Sequence, residues 1–201
     1  GPPPVEPLSA EGFLITGQQV LVGVTMGFAL RLILAVFELV GQIIAQHMAL
    51  HFASLVDPNS GVQMPMLAQF YMILALLVFL SLNGHLVALQ VLAESFTVVP
   101  VAVDGIGREG FWHLALQMGW VFSSALAFAL PAIAALLVVN LAFGVVTRAA
   151  PQLNIFSVGF PAIMIMGFGI IYITLPHFVV QFEPLFHEAL SFTRALLTGV
   201  P

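Results

Sequence analysis

A chain of 201 residues that is 61% hydrophobic and 6% charged, with a mean hydropathy of +1.11, is excluded from the water-soluble domains, in which about a quarter of residues are charged. Four arginines and no lysine against nine acidic residues, a formal charge of −5, exclude a polybasic surface for nucleic acid or anionic lipid. The lack of cysteine excludes a disulfide framework and thiolate chemistry. An all-α membrane protein is the class that remains.

Residues 1 to 12 hold four prolines and two glutamates and no apolar run, so they read as an extended connection arriving from upstream. From Phe13 to about Phe52 the chain is apolar with few breakers besides glycine, which predicts a helix far longer than the ~20 residues that cross a bilayer. It must bend or leave the lipid. Gly17, Gly23, Gly27 and Gly41 suit close helix packing, Gly23 and Gly27 in GxxxG spacing. Arg31 and Glu38 share one face, and each would cost about 2.5 to 3.5 kcal/mol facing lipid at a helix centre. They are expected to face protein or water, as a satisfied pair or with partners on another subunit; a proton or ion relay is the sharper alternative.

The helix must break between His47 and Pro65. Asp57-Pro58-Asn59-Ser60-Gly61 is turn chemistry, because Pro58 biases Asp57 away from helix while Asn59 and Gly61 tolerate left-handed backbone. Around that turn stand Met48, Leu50, Phe52, Leu55, Val56, Val62, Met64 and Met66, which a water-exposed loop would not display. Irregular backbone at membrane depth is tolerated where protein covers it or where it lines a cavity, so a constriction or plug is one reading and a turn buried for packing the other. His47 and His51 have the spacing of a two-histidine metal clamp, but Asp57 is the sole nearby candidate for a third ligand. Hydrogen-bonding histidines are expected, with no metal and no cofactor.

A second apolar run, Met66 to about Phe96, carries a polar notch at Ser81-Leu82-Asn83-Gly84-His85. Asn83 and His85 are expected to hydrogen-bond a neighbouring helix, and Gly84 to permit close approach or a kink. Pro100 to Gly110 is a polar connection whose glycines lack the strand and lysine of a nucleotide loop. The third run, Phe111 to Val146, contains Pro131, where a kink is expected, and Asn140 near its end. A polar closure from Thr147 to Asn154, with Arg148 and Gln152, precedes a fourth run from Ile155 to Gln181 that Pro161 and Pro176 interrupt. Glu183 to Leu197 places Phe186, Ala189, Leu190, Thr193 and Leu197 on one face, an amphipathic helix on an interface or a partner. Four arginines are too few to orient the protein by the positive-inside rule. No HExxH, GxSxG or Walker sequence occurs, so an enzyme is not expected.

Two blocks of residues resemble a known family. Gly41-Gln42-Ile43-Ile44, Met48, Phe52-Ala53, Val56-Asp57-Pro58, Met64-Pro65 and Asn83-Gly84-His85-Leu86 form the first. Asn140-Leu141-Ala142-Phe143-Gly144, Arg148, Ala150 to Phe156 and Gly159-Phe160-Pro161 form the second. Together they are similar to the FliR family, the R subunit of the flagellar type III export gate, and that family has further hydrophobic helices upstream, so this chain is expected to match its later three quarters. His47, Ala49 and His51 depart from the family, which commonly has glutamine, glycine and serine there.

The resemblance implies long, kinked helical hairpins packed into a helical multi-subunit assembly around an export pore. Residues 1–109 would be the remainder of a P-like half with a plug loop at 48–64, and 110–201 a Q-like hairpin ending in the amphipathic helix. The plug residues would be Met48, Leu50, His51, Phe52, Leu55, Val56, Asp57, Pro58 and Met64. The intramembrane polar and packing positions would be Arg31, Glu38, Gln42, Asn83, Gly84, His85, Asn140, Arg148 and Gln152. The implied partners are the P and Q subunits (FliP, FliQ), FlhB, membrane lipid and exported unfolded flagellar proteins; the implied place is the bacterial inner membrane, in the flagellar basal body. The alternative is a small solute transporter using Arg31, Glu38 and Glu94.

Overall fold

A computed structural model describes residues 9–50, 66–99, 108–150 and 158–198, and no strand occurs among them. Six helices follow in order: α1 Ala10–His47, α2 Met66–Ser81, α3 Gly84–Val98, α4 Arg108–Ala149, α5 Phe160–Thr174 and α6 His177–Thr198. By length and apolarity α1 and α4 can each cross a membrane. The pairs α2–α3 and α5–α6 qualify only as bent units, with bends of 71° and 64°.

Helix α1 begins earlier than its apolar run because Ser9 caps it. The Ser9 hydroxyl accepts from the Gly12 amide at 3.1 Å, satisfying one of the donors that a helix N-terminus leaves free. From there Val22, Met26, Ala29, Ile33, Val36, Val40 and Ile44 are buried at three- and four-residue steps, whereas Val20, Val24 and Phe28 on the other side are exposed. That periodicity keeps one helix going through 38 residues.

The polar notch in the second run is where that run divides. Asn83 adopts a left-handed conformation (φ 57°), which asparagine tolerates better than most residues, and its carbonyl accepts from Leu86 and Val87 to start α3. Gly84 allows the tight exit. A Cβ there would fall on the Phe79 ring and 2.8 Å from the Phe79 carbonyl oxygen. At the second break Pro176 cannot donate, and Thr174 turns its hydroxyl onto the Ile170 and Ile171 carbonyls at 3.0 and 3.1 Å, a contact that bends helices.

One boundary differs from expectation, while helix α4 continues through Pro131, the position of the expected kink, as a single helix. Helix α6 starts at His177, not at Glu183, and passes through Pro184. Its first two turns are held by Phe178 and Phe182, both buried, which continue the stripe of Phe186, Ala189, Leu190 and Thr193. The amphipathic expectation holds for the described part of this helix, since Glu183, His187, Glu188 and Arg194 are exposed.

The chain gathers into two compact units, Gly1–Ala35 with Leu76–Val121 and Pro184–Pro201, and Val36–Ala75 with Phe122–Glu183. In the first, the rings of Phe79 and Phe186 meet edge to face at 5.6 Å, and Arg194 pairs with Glu94 at 3.4 Å. Gln90 donates to the same carboxylate at 2.8 Å. Both charged side chains are 40–50% exposed (49% and 41%), so in water such a pair adds at most about 1 kcal/mol. In the second unit the core is aromatic. Phe37 packs against Phe178 at 4.8 Å, Phe182 at 5.2 Å and Phe128 at 5.3 Å, joining α1, α4 and α6, while Tyr71 of α2 approaches Phe178 at 6.0 Å. Offset and edge contacts of this kind add ~0.5–1.5 kcal/mol per pair beyond burial.

Candidate functional site

The end of α1 is built for a defined stop. The Leu50 amide reaches back to the Ala45 carbonyl and the Ala49 amide to that of Gln46, both at 3.2 Å, which is the double closure of a Schellman motif. That motif needs its closing residue in the left-handed region, and Ala49 sits there at φ 59°. Glycine takes this conformation freely, whereas an L side chain costs about 1 kcal/mol. Position 49 is therefore the one residue of the motif where glycine matters most. Ala49→Gly is expected to raise stability by about 1 kcal/mol, read as a higher thermal midpoint of the purified protein in its complex; a lower midpoint would contradict the left-handed stop.

Three contacts within the second unit hold this end in place. Met48 is fully buried and lies on Gly167 of α5, so that a Cβ at 167 would stand 2.6 Å from its Cε, 2.7 Å from its Cγ and 2.9 Å from its sulfur. Asn140 of α4 donates its side-chain amide to the His47 carbonyl at 3.1 Å, partnering a carbonyl that the helix end cannot satisfy. One and a half turns earlier Gly41 meets the backbone of α2, where a Cβ would stand 2.6 Å from the Leu67 oxygen and 2.8 Å from the Ala68 nitrogen. By contrast Gly17, Gly23 and Gly27 have open space beside them.

The other expected positions are spread out. Arg31 is exposed and, among the described residues, has no hydrogen bond or ion pair; half-buried Glu38 accepts from Gln42 at 3.4 Å. A direct Arg31–Glu38 pair is thus replaced by a local amide contact. Asn83 and Gly84 form the α2–α3 break, His85 follows it exposed, and Arg148 is exposed in the last turn of α4, where a cation suits the helix dipole. Leu50 is half-buried. His51, Phe52, Leu55, Val56, Asp57, Pro58, Met64 and Gln152 lie outside the described residues. No three potential metal ligands gather among the described residues.

Residues that sequence reasoning did not single out carry much of the site. Phe37, Phe128, Phe178 and Phe182 had one available signal, the four-residue spacing of Phe178, Phe182 and Phe186. Gly167 had none that set it apart from Gly159 and Gly169.

Comparison with known proteins adds a decisive observation. The family model described as bacterial export proteins, family 1, matches residues 1–189. Flagellar biosynthetic protein FliR of Pectobacterium carotovorum is 39% identical over 190 residues, covering 94% of this chain and 73% of that protein. The chain belongs to this family. The FliR proteins of Escherichia coli K12 (36% identical, 92% of this chain, 70% of the relative) and Bacillus subtilis 168 (30% identical, 98% and 78%) match it in the same way. Several residues that carry the resemblance to FliR also organise the fold: Gly41 at the α1–α2 crossing, Met48 and Asn140 at the end of α1, and Asn83 and Gly84 at the first break.

Proposed function

We propose that the chain is a core component of the flagellar type III export apparatus, that it forms part of the export pore, and that the loop after α1, residues 48–64, plugs that pore. The observation that carries this reading is the family match across nearly the whole chain, joined to relatives named for flagellar biosynthesis. The physical features agree with it. Large apolar side chains such as Leu141, Ile165, Tyr172 and Val180 are exposed in the chain by itself, and bent spans leave backbone that needs neighbours. Arg31 wants a partner that this chain does not offer among its described residues. The role is structural: binding, sealing and making way, with no bond made or broken.

On this reading the neighbours are the P and Q subunits, FliP and FliQ, together with FlhB, in the bacterial inner membrane at the base of the flagellum. The substrates are unfolded flagellar proteins in transit. Residues 1–109 act as the P-like part and 110–201 as the Q-like part. A solute transporter finds no support in the family or in the placement of Arg31 and Glu38.

Affinity purification of the natural full-length protein in mild detergent tests the assembly. Stoichiometric recovery of P and Q subunits is expected. A monodisperse, folded monomer that leaves both behind would overturn the reading.

A further inference from the structure

Arg31 stands exposed near the middle of a helix able to cross a membrane, with no hydrogen bond or ion pair among the described residues. Too few residues follow it in α1 to make up the ~20 of a span, and a span placed wholly before it takes in Glu11. A guanidinium held at that depth needs an anionic partner or water.

The residues before it form a seam. Phe13, Gly17, Val20, Val24, Gly27 and Arg31 recur at alternating steps of four and three, the ~3.5-residue repeat that keeps one line of a helix facing a second helix. All six lie in the first compact unit and are exposed, and among the described residues nothing stands within 4 Å of a Cβ at Gly17 or Gly27. The buried stripe of Val22, Met26, Ala29 and Ile33 runs along the opposite side of the helix. One face of α1 is thus closed inside the chain, and the other is open along a line that ends in a charge.

We propose that this seam receives a membrane-spanning helix of a different protein, and that this helix carries a carboxylate at the depth of Arg31. The inference rests on the assembly reading above and deepens it by naming the surface and the chemistry of its partner. Charge selects the occupant. Lipid tails offer a guanidinium nothing, and a second copy of this chain inserted in the same direction would set Arg31 against Arg31, because parallel seams oppose like positions. A carboxylate accepts two parallel hydrogen bonds from the guanidinium and neutralises it. Gly27, one turn before Arg31, leaves room for the partner's backbone to come close, which shortens the reach that carboxylate needs.

The test uses the natural full-length protein expressed with its neighbours and recovered in mild detergent. Arg31→Lys, which keeps the charge, should bring down the partner subunits in close to the wild-type amount. Arg31→Met should lower their recovery several-fold, because it leaves the partner's carboxylate bare in the membrane. An arginine that faces water or lipid headgroups leaves nothing bare when it is replaced, so unchanged recovery with Arg31→Met would overturn the inference. In the Arg31→Met background each intramembrane carboxylate of the co-purifying subunits is then changed to its amide, and one such change should restore recovery. If none does, or if Asp57→Asn or Asp104→Asn in this chain does so instead, the seam has no such partner and the inference falls. Wild-type protein that recovers no subunit would sink the assembly reading itself, whereas wild type and Arg31→Met recovering subunits equally would sink the seam alone.

Discussion

Gly41→Val is expected to remove the chain from the membrane almost completely. The Cβ it introduces would land on the Ala68 backbone, against the Leu67 oxygen at 2.6 Å and the Ala68 nitrogen at 2.8 Å. Backbone atoms inside a helix cannot rotate away as a side chain can. Helices α1 and α2 would have to separate, and the buried neighbours Val40, Ile44, Ala68 and Tyr71 would lose packing along with them. Overpacking costs about 1–3 kcal/mol for a modest insertion, and a branched side chain against backbone belongs at or beyond the top of that range. Against a total stability of about 5–15 kcal/mol that loss is severe. The measurement is the steady-state level and protease resistance of the natural protein in membranes, with Gly23→Ala as the control, since nothing among the described residues lies within 4 Å of a Cβ there. A Gly41→Val protein with wild-type level and resistance would show that the α1–α2 crossing is not tight.

The second large effect concerns the proposed plug. Serine at Phe52, Leu55 and Val56 is expected to leave the gate assembled and make it leak ions, seen as loss of membrane potential that depends on the P subunit. Each of the three, if fully buried in the closed pore, contributes about 1.5 to 3 kcal/mol, so their joint loss removes several kcal/mol of closure. A constriction that excludes water by being apolar also becomes wettable once hydroxyls line it. The anchoring contacts of Met48 and Asn140 lie outside the substituted residues, so folding of the helices should survive. An assembled complex with an intact permeability barrier would show that the loop is packing, or that other subunits seal the pore by themselves.

Some of this was legible in the residue order and some could not be. Apolar length sufficed for α1 and α4, because nothing else explains such runs. The notch at Ser81 to His85 was visible as chemistry, but the size of the bend depends on Asn83 turning left-handed and on Gly84 fitting under Phe79, and both are choices of three-dimensional packing. The apolar face read from the sequence began α6 at Glu183, whereas the helix starts at His177 and passes through Pro184. Tertiary burial of Phe178 and Phe182 outweighed the single lost hydrogen bond. The significance of Ala49 could be suspected from its departure from glycine and became physical only with its φ of 59°. The Asn140–His47 contact joins positions 93 apart and leaves no local trace in sequence.

The two bent pairs carry a consequence for how much room the chain takes in the plane of the lipid. At 1.5 Å per residue, α2 with its 16 residues is about 24 Å long and α3 with 15 about 22 Å, so neither alone covers the ~30 Å hydrocarbon layer. With 71° between them, standing α2 along the normal lays α3 within about 20° of the bilayer plane, and together they reach about 31 Å in depth. In that posture α2 supplies about three quarters of the depth and α3 nearly all of the breadth. Such a bent pair takes up about 21 Å of breadth by its second arm, so it occupies more of the membrane plane than a straight span of the same depth.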